Sequence, residues 1–195
     1  MSAAARGGRY DDESQGKDVY QLQTTIVRRT GTEDWPDFAS FRPYPPPATL
    51  KRWLADAHAR TRSLFEDLDG ARMRVPLLAV VNPPVWELGH IAWFHEFWIR
   101  RRGDFDAPPL LPGADALYDS SRVPHDSRWQ LGLPDLEATW RYAERVQDAA
   151  LALIDRDDIG DELAYFAALA VFHHDMHNEA FCYICLLYTS PSPRD

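Results

Sequence analysis

Cysteine is scarce: the 195 residues hold only Cys182 and Cys185. Two cysteines this close together build no disulfide framework, so a reducing, cytoplasmic setting is expected. CYIC has the spacing of a redox or metal pair. No second pair accompanies it, and two small apolar residues on a helix are the simpler reading. Long hydrophobic runs are missing too. Nothing approaches the ~20 apolar residues that cross a bilayer, and MSAAARGGRYDDESQGKDVYQ lacks the apolar centre of a secretory signal. Neither membrane nor export is expected. Positive charge is in deficit, with 21 Lys and Arg against 30 Asp and Glu and a net charge of −9. That excludes a general nucleic-acid binder, which needs a basic face for phosphates. Strand-like alternation and hairpin dipeptides are also lacking. The remainder, 45% apolar and 26% charged, is enough for one globular core.

Residues 1–46 read as a flexible polar leader ending in the proline-rich FRPYPPPATL. Four stretches then show helical apolar spacing. The first, about 48–68, aligns Leu50, Leu54, Ala57, Thr61, Leu64 and Leu68 and stops at Asp69-Gly70. The second follows Pro83-Pro84 and runs to about Arg102, with Trp86, His90, Trp93 and Phe97 inward and three arginines at the negative end of its dipole. The third opens at Pro134-Asp135 and runs to about Asp155, with Leu136, Thr139, Ala143, Val146, Ala150 and Leu153 inward. The fourth starts near Gly160-Asp161 and aligns Leu163, Phe166, Ala170, His173, His177, Ala180 and Ile184. The expected class is all-α: a four-helix bundle over 47–184, with a long crossover, 105–133, between the second and third helices. A connection of that length carrying Tyr118, Arg122, Arg128 and Trp129 is expected to be ordered.

Histidines fall where this pattern wants leucine. His173 and His177, one turn apart, occupy consecutive inward positions of the fourth helix, and His90 does the same among the aromatics of the second. His174 lies off the stripe, and His58, His95 and His125 are read as not facing inward. A lone core histidine is usually one with its hydrogen bonds satisfied. Three inward imidazoles must satisfy one another or share an ion, because an unpartnered buried ring is costly. On spacing alone a metal site and a structural polar core stand about even. Three imidazoles leave open positions on a metal, the pattern of catalytic rather than structural sites, and they suit Fe(II) or Zn(II) alike. HHDMH puts His174 where a zinc protease needs glutamate. Glu87-x-x-His90 is half of a di-iron motif whose other half is missing. Glu87, Glu179 and Asp175 are candidates to orient an imidazole through its free N–H.

NPPVWELGHIAWFHEFW, LYDSSRVPHDSRWQLGLPDLEATWRYAERV and FHHDMHNEAFCY, in that order over roughly residues 50–183, together resemble the N-terminal DinB-like half of the ergothioneine-biosynthesis sulfoxide synthases. They resemble the selenoneine synthase branch more closely. The resemblance implies a non-haem Fe(II) enzyme that uses O₂ to join sulfur, or selenium, to the imidazole carbon of hercynine (trimethyl-histidine). Its metal ligands fall on His90, His173 and His177. Met176 stands where the thiol enzymes often carry a glutamine lining the hercynine site, and His125 where some carry an arginine for the thiol donor's carboxylate. Both changes suit a selenosugar donor better than a thiol, with Arg122 and Arg128 as candidate anion contacts, although a solvated loop arginine is the simpler reading of either.

The family continues into a second domain, like the formylglycine-generating enzyme, that supplies much of the substrate pocket. Here the match stops near Tyr183 and CLLYTSPSPRD follows, which reads as a non-native tail over 185–195. The expectation is a fragment, inactive alone, whose missing partner is that second domain. The alternatives are a DinB-like thiol transferase or hydrolase using Zn or Ni, and a non-enzymatic bundle with a polar core.

Overall fold

The computed structural model describes residues 43–66, 68 and 73–189, the last five by their backbone alone. Most of the expected leader, the Asp69-Gly70 stop and the tail from residue 190 lie outside the described residues. Among the described residues the regular structure is entirely helical, so the chain is all-α.

Helix α1 is Pro47–Glu66, and it buries Leu50, Leu54, Ala57, Thr61 and Phe65. The last place differs from the expected Leu64, which is only half-buried. A stripe stepping by fours and threes can continue on either residue, and the larger ring takes the inner place. Phe65 meets Trp140 and Phe181 edge-on, with centroids 5.2 and 4.9 Å away.

Helix α2, Pro84–His95, has proline in its first turn and is buried on nearly every side. Its α-helical part ends earlier than expected because Glu96–Arg100 form a π-helical turn. Arg101 N bonds Glu96 O, and Gly103 N bonds Phe97 O. The widened turn carries Glu96, Phe97 and Ile99 inside together. Glu96 accepts from Tyr142 Oη at 2.7 Å and from Leu110 N at 2.6 Å. Arg102 (φ 55°) and Gly103 (φ 76°) then turn the chain out through left-handed conformations.

The long crossover is ordered, as its aromatic and basic residues suggest. It contains helix α3, Ala114–Tyr118, and a 3₁₀ turn, His125–Ser127. Three anchors hold it. Arg101 forks onto Asp115 at 2.6 and 3.0 Å, Trp86 Nε1 donates to Leu117 O at 2.8 Å, and Trp129 Nε1 donates to Val75 O at 2.8 Å. Tyr118 lies so flat on α2 that a Cβ at Gly89 would sit 2.2 Å from its ring.

Helix α4, Leu136–Ile154, is capped by Asp135, whose side chain accepts from Ala138 N at 2.7 Å. Ile154, not the expected Leu153, is the buried residue of its last turn. Helix α5 is Gly160–Thr189. Each helix packs on two neighbours: α1 on α5 and α4, and α2 on α4 and α5. α1 and α2, and likewise α4 and α5, therefore sit diagonally across the bundle, while α2 lies side by side with both α4 and α5. No described helix is long and apolar enough to cross a membrane.

Candidate metal centre

His90 comes from the middle of α2, and His173 and His177 from successive turns of α5. One nitrogen from each lies within 4.8 Å of the others. The convergent atoms are the three Nε2: His173 Nε2 is 3.2 Å from that of His90 and 3.1 Å from that of His177. His90 and His177 are buried, and His173 is half-buried.

Proton placement follows from what the far nitrogens touch. His90 Nδ1 is 2.8 Å from the backbone carbonyl of Tyr118, which only accepts, so Nδ1 carries the proton and Nε2 presents a lone pair. His177 Nδ1 is in close contact with Glu87 Oε2, although no donor is aligned on that oxygen as in a regular hydrogen bond. His173 Nδ1 is buried without a protein partner, and its ring lies flat on Phe94 at 3.6 Å. Neutral imidazoles pointing lone pairs at one another across about 3 Å repel unless a cation or a shared proton sits among them. Three Nε2 with two Nδ1 occupied elsewhere are thus a donor set suited to one metal ion.

Burial favours the neutral form of two of these rings. Burial, then the charge of His177, lowers His90 to about 4. Burial and the charges of His177 and His90 lower His173 to about 2. Burial pushes Glu87 upward, but the bond and charge of His177 and the Asn82 amide outweigh it and leave the carboxyl below its ordinary range.

Support reaches the rings from the segment before α2 and from the crossover. Asn82 Nδ2 donates to Glu87 Oε1 at 2.7 Å, and Arg128 Nη1 donates to Asn82 Oδ1 at 2.7 Å. The Arg128 guanidinium also covers Trp86 at 3.9 Å, and Trp86 stacks on His90 at 4.8 Å. One crossover arginine therefore bears on two of the three imidazoles.

The other expected residues fall differently. Of the three acidic candidates, Glu87 reaches the triad. Glu179 is exposed in a groove with Arg60 and Cys182, and Asp175 pairs with Arg60 at 2.6 Å. Met176 is 53% exposed, next to the last histidine in sequence. His125 Nε2 donates to Val81 O at 2.9 Å. Arg122 pairs with Asp119 and lies 4.0 Å from the Phe105 ring.

Two histidines contradict the sequence reading. His95 and His174, expected to face outward, are buried at 3% and 2% exposure and meet edge-on at 5.0 Å. His174 Nε2 lies 2.7 Å from Thr61 Oγ1, which donates to Asn178 Oδ1 at 2.6 Å. Asn178 Nδ2 in turn donates to Ala57 O. With the hydroxyl proton spent on Asn178, His174 must donate from Nε2. His174 and Asn178 form a second row on α5 beside His173 and His177, turned toward α1. The signal for it was the spacing H-x-x-x-N, one residue out of step with the first row.

A family model described as the DinB superfamily matches residues 54–180. The chain belongs to the DinB superfamily. Curated relatives match about two thirds of the chain. A protein named hercynine oxygenase from Mycolicibacterium thermoresistibile is 36% identical over 134 residues, 68% of this chain and 29% of its own length. One of the same name from Mycobacterium tuberculosis is 36% identical over 135 residues, 68% of this chain and 31% of its own. This DinB chain therefore spans about three tenths of the length of those relatives.

Proposed function

We propose that this chain is the metal-holding helical part of an O₂-dependent non-haem Fe(II) enzyme that joins selenium, or sulfur, to the imidazole of hercynine. The convergence of three imidazole Nε2 atoms on α2 and α5 carries the reading, and similarity to proteins named hercynine oxygenase supplies the substrate class. His90, His173 and His177 would hold the ion, which supplies Lewis acidity and redox chemistry at a site with open positions. Glu87 and the Tyr118 carbonyl keep the Nδ1 protons of His177 and His90, so their Nε2 stay free for metal. Phe94 and Trp86 wall the rings with aromatic faces that keep bulk water off them. Met176, His125 and Arg128 are proposed to meet the substrates. An apolar residue at Met176, beside the last ligand, fits a selenosugar donor better than a glutamylcysteine.

Hercynine binding tests this directly. With the protein loaded with Co(II) as a paramagnetic reporter, the imidazole ring protons of hercynine should relax faster than its N-methyl protons. Relaxation no different from that in a His173→Ala/His177→Ala variant would refute the substrate assignment.

A further inference from the structure

Asn82 lies outside every helical stripe and outside the donor set, yet it holds the carboxylate that faces His177. Its backbone is preset. The residue before a proline is confined to extended conformations, and Pro83 itself sits at φ −56°, ψ 130° ahead of α2. From there the side chain reaches across the first turn to Glu87, five residues on.

Which end of the amide faces which partner is fixed by donor counting. A guanidinium has only donors, so Arg128 must receive Oδ1, at 2.7 Å. That turns Nδ2 onto Glu87 Oε1, also at 2.7 Å. With Oε1 held, Oε2 is left for His177 Nδ1.

We propose that Asn82 is a positioning residue: its amide fixes the rotation of the Glu87 carboxylate and, through it, the tautomer and orientation of His177. Arg128 sets the amide, so the crossover and the metal ligand are mechanically one unit. The role of the tautomer rests on the metal reading above. The Asn82–Glu87–His177 order does not.

The test uses Asn82→Ala and Asn82→Asp. The first removes the donor. The second keeps an acceptor for Arg128 but sets a carboxylate against Glu87. In metal-free protein, ¹⁵N histidine spectra should show His177 as the Nδ1–H form in the native chain and a mixed form in both variants. His90, held by the Tyr118 carbonyl, should not change. Competition with a chromophoric chelator should show metal binding weakened about 10- to 100-fold, the range for losing a group that orients a ligand.

His177 spectra and metal affinity both within twofold of native would overturn the proposal while leaving the metal site standing. A native chain that binds no metal, but whose His177 tautomer shifts in the variants, would support the positioning role and refute the metal reading. If neither variant folds, the native chain decides. Slowly exchanging, downfield Asn82 amide protons support the role, and random-coil values overturn it.

Discussion

Two imidazoles of the triad, His90 and His177, are defined by what their outer nitrogens touch, and the chemistry of the cluster follows from those assignments. Tyr118 matters twice, since its carbonyl takes the His90 proton and its ring covers Gly89. Burial also pushes its phenol up to about 12, so the ring stays neutral. Gly89→Ala would place a methyl against that ring and force Tyr118 off α2. An overpacked core of this kind costs about 1–3 kcal/mol, read as a lower urea midpoint with unchanged slope. The His90 tautomer should loosen with it, visible in the same histidine spectra. At this scale the sequence was legible where helical phase spoke: His90, His173 and His177 stood in leucine positions, and Glu87 stood one turn before His90. Asn82 was not legible. Its role depends on a hydrogen bond to Arg128, 46 residues away, and no periodicity encodes that.

Among the elements, α5 has two working rows. One faces α2 with His173 and His177, and the other faces α1 with His174 and Asn178. The second row fixes the rotation of α5 about its axis and so the direction in which the first row points. Thr61→Val keeps the shape at a residue 1% exposed but leaves the His174 Nε2–H and the Asn178 carbonyl without their partner. The expected cost is about 1–3 kcal/mol in equilibrium unfolding. Loss of the α4 cap by Asp135→Ala should cost about 1 kcal/mol without altering metal affinity, because the Asp135 side chain bonds Ala138 N of its own helix. Sequence periodicity found all four long helices. It failed on His95 and His174 because a one-face stripe assumes a helix with a wet back, whereas α2 and α5 are each packed on two sides. It also missed the π-helical turn, which inserts a residue that no 3.6-residue period contains.

For the whole molecule, the buried neutral histidines make the metal-free protein sensitive to acid. Burial lowers His95 from an ordinary 6.5 to about 4, and His174 falls in the same direction. Between those values the unfolded chain binds protons that the folded chain refuses, so stability falls as pH drops from about 6.5 toward 4. Glu87 adds to the effect. Its folded value is depressed, so its contribution is present above the ordinary carboxyl range and is lost as pH falls through the folded value. Urea midpoints at pH 7 and pH 5 should differ, with about 1.4 kcal/mol per pH unit for each proton of difference. A flat profile would mean that these rings are charged or exposed in solution. Metal acts in the opposite sense, since an ion that binds only the folded triad raises its stability by mass action.

His90, His173 and His177 are proposed to hold one metal ion. Anaerobic titration of the metal-free chain with Fe(II), followed by dialysis and metal analysis, tests it most directly. The expected result is about one ion per chain, retained at pH 7 and abolished in His173→Ala/His177→Ala, with the variant still helical. Equal retention by the native chain and the variant, or none by either, would contradict it.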